Sequence, residues 1–195
     1  MNIFVLSRDA REAALFHCNK HVIKMILESA QMLCAAHWIH LLKKEGKSLK
    51  DFARVKDAQS WLYENTDVSL HPPWKLTHSR HPCTLWTCEN ISNYMWHSRL
   101  GENLLKEYTR RYGKRHKSEI VHEWLNENSP VDIKNKALTK WPLCMPDECK
   151  VSKDAVTSYR NYYKKYKNNI AVWEPRAHTP KWFVEKEQES TLCLI

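Results

Sequence analysis

The sequence predicts an all-α fold: a compact single-domain helical bundle with a short N-terminal extended segment. Three observations carry this prediction. Glycine occurs only 3 times in 195 residues, too rarely for a turn-rich sheet protein. Apolar residues recur at helical spacing through long stretches without proline. The length suits one domain with a substantial core.

The elements are taken in chain order. Asn2 to Leu6 is apolar and reads as an extended lead-in or a short strand. Asp9 is an N-cap residue, and the helical pattern after it runs unbroken to about His40. Lys43 to Lys56 is a charged connector around Gly46, and a second helix covers Ala53 to Glu64. His71-Pro72-Pro73-Trp74 is loop, since proline also restricts the residue before it. Pro82 suits the first turn of a third helix, which runs to about Tyr112 and stops at Gly113. Ser118 to Asn126 is a shorter helix. Ser129 to Lys150, with Pro130, Pro142 and Pro146, is irregular. Ser152 caps a helix to about Lys167, and Pro175 and Pro180 punctuate the segment after it. Residues 1–184 form the single domain, and 185–195 read as a flexible tail. There is no internal repeat.

Composition narrows the partners. Lys and Arg number 31 against 22 Asp and Glu, a formal charge of +9. Such a field concentrates polyanions and speeds their capture. With nine Trp and eight Tyr, it points to DNA or a nucleotide-like phosphate ligand. No apolar run approaches the ~18 residues of a membrane span, so no membrane partner is expected. Seven cysteines, an odd number, without a secretory segment ahead of them indicate free thiols in a reducing cytoplasm. The oligomeric state is not legible.

On a helical wheel, His17, His21, Lys24, Glu28 and Gln31 fall within an arc of about 80°. The rest of that helix is mostly apolar, from Val22 to Cys34. So narrow a polar stripe faces either solvent or an internal cleft. In a cleft, its acid, imidazoles, amine and amide are the parts of acid–base chemistry or of ligand capture. His17 and His21 also have the four-residue spacing that zinc can use. No further ligands are signposted, since the chain has no Cys-x-x-Cys, and neither a metal nor another cofactor is expected.

In the helix after Pro82, Trp86, Asn93, Glu107 and Arg111 lie on or beside the apolar arc, either as a satisfied core network or as lining of the same cleft. Gly101 marks close packing, with the first helix as the candidate partner. The exit from Arg110 to Ser118 gathers Arg111, Lys114, Arg115 and Lys117 at a helix junction, a setting suited to phosphate. Tyr159 to Lys167 interleaves tyrosines with cations. Such a segment can stack bases while contacting a backbone, or can simply turn its tyrosines inward.

These residues carry a resemblance. Asn2 to Leu6, His21 to Gln31, Arg80-His81-Pro82-Cys83-Thr84-Leu85-Trp86, Glu107 to Lys114 and Tyr159 to Tyr163 resemble a family of small phage-encoded proteins over most of the chain to about Trp182. More distantly, over roughly the first 120 residues, the chain is similar to phage-type endonuclease V, the pyrimidine-dimer DNA glycosylase and apurinic-site lyase. His21 and Glu28 match a His and a Glu one heptad apart on that family's first long helix. The resemblance implies that Glu28 assists sugar chemistry, with His17, His21 and Lys24 beside it. Together with the stripe, the central helix, the basic junction and the aromatic segment, the expected ligand-binding set is Gln31, Arg80, His81, Trp86, Asn93, Glu107, Arg111, Lys114, Arg115, Lys117, Tyr159 and Tyr163. The family's nucleophile is the α-amine exposed when the initiator Met is removed. Here position 2 is Asn, whose bulk disfavours that removal, so Met1 and Lys24 join Asn2 as candidate amines. Leu27 and Gln31 stand where the family flanks its Glu with arginines.

The expected function is thus a DNA-acting glycosylase, with or without apurinic-site lyase activity. The alternative is a non-catalytic, sequestering binder of a nucleotide or modified base. Nothing in the sequence speaks directly for a third class, a protein-binding adaptor.

Overall fold

A computed structural model describes residues 2–184 apart from 131, 132, 134, 135 and 153. Met1 and the expected tail at 185–195 therefore lie outside the described residues. Among those described, the secondary structure is helical, with no strand. Helices α1 (Ala10–Phe16) and α2 (Asn19–Lys44) are succeeded by α3 (Val55–Asn65), α4 (Pro82–Thr87) and α5 (Ile91–Tyr112). Helices α6 (Glu119–Glu127), α7 (Ala155–Tyr166) and α8 (Lys181–Val184) complete the order. Helix α5 packs along both α1 and α2.

Two expectations about continuity are corrected. The first helix is broken at His17 and Cys18, whose ψ angles of 132° and 163° are extended. No proline or glycine marks the break. It is held by distant side chains that satisfy the carbonyls left open at the end of α1. Arg111 donates to Leu15 O at 3.0 Å and to His17 O at 2.8 Å. Trp173 Nε1 donates to Phe16 O at 3.0 Å. The helix beginning at Pro82 is likewise broken, between Thr87 and Ile91, where the Asn90 side chain accepts the Asn93 backbone N–H at 3.0 Å and starts α5.

Other boundaries reflect local chemistry. Asp9 accepts the Glu12 backbone N–H at 2.8 Å. Gly113 ends α5 with φ of 64°, the left-handed conformation glycine adopts without penalty. Helix α7 is capped by Asp154, which accepts from Thr157 N, and not by Ser152. The expected extended lead-in has no regular secondary structure and pairs in no sheet: Phe4 sits at a positive φ of 40°, and Leu6 N donates to Phe4 O at 2.9 Å in a tight turn.

Helix α2 joins two apolar clusters. Its first half, with Val22, Met25 and Ile26, packs with Ile3 to Leu6, α1, Trp96 to Leu105 of α5, and Tyr159 and Tyr163 of α7. Its second half, from Leu33 to Leu42, packs with Ala58 and Leu62 of α3, Tyr94, Val121 and Leu125. At the boundary, His122 of α6 reaches Ile26 O at 3.0 Å. It does so over Gly101, where an added Cβ would stand 2.8 Å from His122 Nδ1 and closer still to Cε1. The close approach expected at Gly101 is therefore to α6.

Candidate active site

The N-terminal segment is the element that completes the site. Apolar Ile3, Val5 and Leu6 are almost wholly buried and anchor the chain start against α2. The Asn2 backbone N is thereby brought 3.2 Å from Glu28 Oε2, across 26 residues of sequence. The other carboxylate oxygen, Oε1, lies 3.3 Å from Lys24 Nζ. Glu28 is only 6% exposed, whereas the Lys24 side chain is largely in solvent. A nearly buried carboxylate thus stands between two nitrogens, one on the chain's first residues and one a helical turn away.

Asn2 is fixed by its own side chain. Its Nδ2 donates to Cys144 O at 2.8 Å, and its Oδ1 accepts from Tyr159 Oη at 2.7 Å. Cys83 Sγ lies 3.7 Å from the same Oδ1 and 3.7 Å from Cys144 Sγ. His81 caps α4 by accepting the Cys83 N–H at 3.2 Å. Phe4 stacks on His21 at 4.5 Å and on Tyr162 at 5.9 Å.

The two imidazoles of the stripe are buried and neutral. His21 Nδ1 is hydrogen-bonded to Tyr163 Oη. Its pKa falls to about 3, first through burial and then through His17, Lys167 and Lys24. Lys167 thus shares the vicinity of His21 with Lys24. His17 lies at the break between α1 and α2, with Nδ1 on Ala13 O at 2.7 Å. Burial takes it to about 4, partly opposed by that bond. Neither ring is a base poised near neutral pH. Gln31, half-buried, ends the stripe.

The remaining expected site residues divide by burial. Arg80, Lys114 and Lys117 are exposed and His81 is half-buried. Arg115 is exposed and paired with two carboxylates, at 2.9 Å from Glu119 and 2.8 Å from Glu123. Tyr159 and Tyr163 are fully buried, and their hydroxyls serve Asn2 and His21. A base cannot stack on rings inside the core, and burial holds both phenols well above their usual range. Trp86, 5% exposed, packs among Trp96 and Trp141.

Asn93, Glu107 and Arg111 belong to structural networks. Asn93 clamps the 136–140 segment, accepting from Thr139 N at 2.9 Å and donating to Thr139 Oγ1 at 2.8 Å. Glu107 binds Arg110 at 2.7 Å and Arg111 at 2.9 Å. Burial alone would raise its carboxyl, but these two arginines hold it below the usual range. Arg111 spends its remaining N–H groups on the end of α1 and on Asn19 Oδ1. None of these bonds reaches Glu28.

Sequence reasoning missed Asn2 as a bridging side chain and the approach of Cys144 to Cys83. The resemblance did single out the chain start. The pairing with residue 144 had no sequence signal, because it spans an irregular segment. Clefts elsewhere include one of about 480 Å³ bordered by Arg8, Trp141 and Asp154 and one of about 590 Å³ between α5 and α6. Glu28 lines neither of them, so the site is defined by its chemistry and not by cleft size. Among the described residues no helix is long and apolar enough to cross a membrane. The chain matches no family model, no curated protein and no solved structure.

Proposed function

We propose that the protein acts on DNA as a glycosylase with an associated lyase step, working at Glu28. The observation that carries this reading is the carboxylate held at 3.2 Å from Asn2 N and 3.3 Å from Lys24 Nζ. The nucleophile would be the chain's α-amine, carried by Met1 where Met1 is retained and by Asn2 where it is removed, with an ordinary pKa of about 7.7–8.0 and hence a large neutral fraction at working pH. That nitrogen would bond to C1′ of an extruded nucleotide as the N-glycosidic bond breaks and the base departs with the bonding electrons and a proton. Opening of the sugar ring then gives an imine. Glu28 would take a proton from C2′, and elimination would break the C3′–O bond and with it the strand. Lys24 is the second candidate amine, but its ordinary pKa of about 10.4 leaves little neutral amine at working pH.

The exposed cations support a polyanionic substrate. Lys20 and Lys24 on α2, Arg80 before α4, and Lys114 and Lys117 after α5 are all in solvent. Borohydride reduction during turnover on DNA carrying abasic sites or pyrimidine dimers tests the reading. A trapped protein–DNA adduct mapping to Met1, Asn2 or Lys24 is the expected result. Base release without an adduct would mean that a water activated by Glu28 is the nucleophile. Neither adduct nor base release, on damaged and modified DNA alike, would leave a non-catalytic nucleotide binder.

A further inference from the structure

We propose that His81, Cys83 and Cys144 form a binding site for a thiophilic divalent cation of the zinc type, which ties the start of α4 to the 141–145 segment beside Asn2. Their ligand atoms all lie within 4.8 Å of one another. Tetrahedral zinc has Zn–S bonds of about 2.3 Å, which puts two bound sulfurs about 3.8 Å apart. The Cys83 and Cys144 sulfurs stand at 3.7 Å, the edge of such a tetrahedron before any metal is added. Two thiolates and an imidazole are the soft, nitrogen–sulfur donor set that zinc prefers over harder cations.

The surroundings fit a site of this kind. Cys83 is fully buried, whereas His81 and Cys144 are half-buried, so a cation has a way in from solvent. Asn2 Oδ1, 3.7 Å from Cys83 Sγ, borders the cluster, leaving it or a water to complete the coordination. Ligation through His81 Nδ1 would exchange its 3.2 Å cap bond to Cys83 N–H for the metal. The loss of one helix cap is small beside the binding energy of a zinc site. The two thiol protons are released to solvent on binding. The inference stands apart from the glycosylase reading, because metal binding is measured without substrate.

Cobalt(II) titration of the reduced full-length chain tests it. The expected result is one cobalt per chain, an intense thiolate-to-cobalt charge-transfer band with tetrahedral ligand-field bands, and loss of both on adding zinc. Bound zinc should protect two thiols from alkylation and raise the melting temperature. Cys144→Ser and Cys83→Ser should abolish the band, and His81→Ala should weaken cobalt binding at least tenfold. Cys34→Ser, in the other apolar cluster, should leave it intact. Circular dichroism checks that each variant folds, and Cys144→Ser, altering a half-buried side chain, keeps the test usable if Cys83→Ser does not fold. Absence of the band in the folded, reduced protein would overturn the proposal. So would a band that survives in Cys144→Ser, or a Cys83–Cys144 disulfide that forms as readily with zinc as without.

Discussion

The two halves of α2 sit in different kinds of environment. From Leu33 to Ile39 every residue is buried, and the neighbours are chiefly apolar groups of α3, α5 and α6. Its buried polar group, His37, is answered by Tyr94 Oη at 2.8 Å. From Asn19 to Gln31 the helix instead alternates buried polar groups with solvent-facing ones. His21 and Glu28 are nearly buried, while Ile23 and Leu27 are more than 40% exposed. The partners of the buried polar groups come from far away in sequence, Tyr163 for His21 and Asn2 for Glu28. One half uses burial to hold the helix in place. The other buries polar groups against partners brought from elsewhere in the chain, and leaves Ile23 and Leu27 in solvent.

The largest expected effect separates these roles. Glu28→Gln should slow adduct formation and strand scission by about 10²–10⁴-fold, the usual contribution of a general acid or base, while leaving the fold intact. Full activity in this variant, read by single-turnover gel assays, would make the first half of α2 as purely structural as the second. Arg111→Ala should be next. It removes one partner of a buried ion pair and reopens the carbonyls ending α1, at a cost of about 3–5 kcal/mol in denaturant unfolding. A loss under 1 kcal/mol would show that the break at His17 does not depend on Arg111.

Gly101→Ala tests the seam between the halves. Its methyl would meet the His122 ring, and overpacking of this sort costs about 1–3 kcal/mol. A neutral result in thermal melts would mean that α6 can withdraw from Ile26 O without loss.

Acid should weaken both halves alike. His21 and His37 each have a folded pKa of about 3, below the ordinary imidazole value of about 6.5. Between those values the unfolded chain binds protons that the folded chain does not, so stability is complete above pH ~6.5 and falls as pH drops. Replacing either histidine by Asn should flatten the acid limb by up to ~1.4 kcal/mol per pH unit. Unequal slopes would show that Tyr163 and Tyr94 protect their histidines differently. The smallest effect is expected from Lys114→Ala with Lys117→Ala. If DNA runs from the first half of α2 to this junction, the slope of log K against log salt should fall by about 1–2. An unchanged slope would remove the junction from the path.

Legibility in the sequence divides along the same line. Periodicity and scarce glycine gave the helical class, and Asp9, Pro82 and Gly113 marked real boundaries, because their signals are local. The Asn90 cap was also present in the sequence but was outweighed by the apolar pattern on either side. The break at His17 was invisible, since the groups that hold it lie at Arg111 and Trp173. The stripe was readable as a stripe, but not what it faces. Charge alone could not tell Arg111, with its side chain wholly buried, from Lys114 in solvent three residues later. Nor could tyrosine content tell a stacking platform from Tyr159 and Tyr163 in the core.

The anchoring of Asn2 has a consequence for the order of events during synthesis. Its side chain bonds across 142 residues to Cys144 O and across 157 residues to Tyr159 Oη. A ribosome adding about 5–20 residues per second would therefore take roughly 10–30 seconds after making Asn2 to supply both partners. Through that interval the Asn2 backbone N–H has its acceptor, Glu28, but not the side-chain bonds that fix it there. Asn2 stays without its full set of side-chain bonds until α7 has left the tunnel, and a chain cut short before Cys144 would carry Glu28 and Lys24 with neither anchor of Asn2.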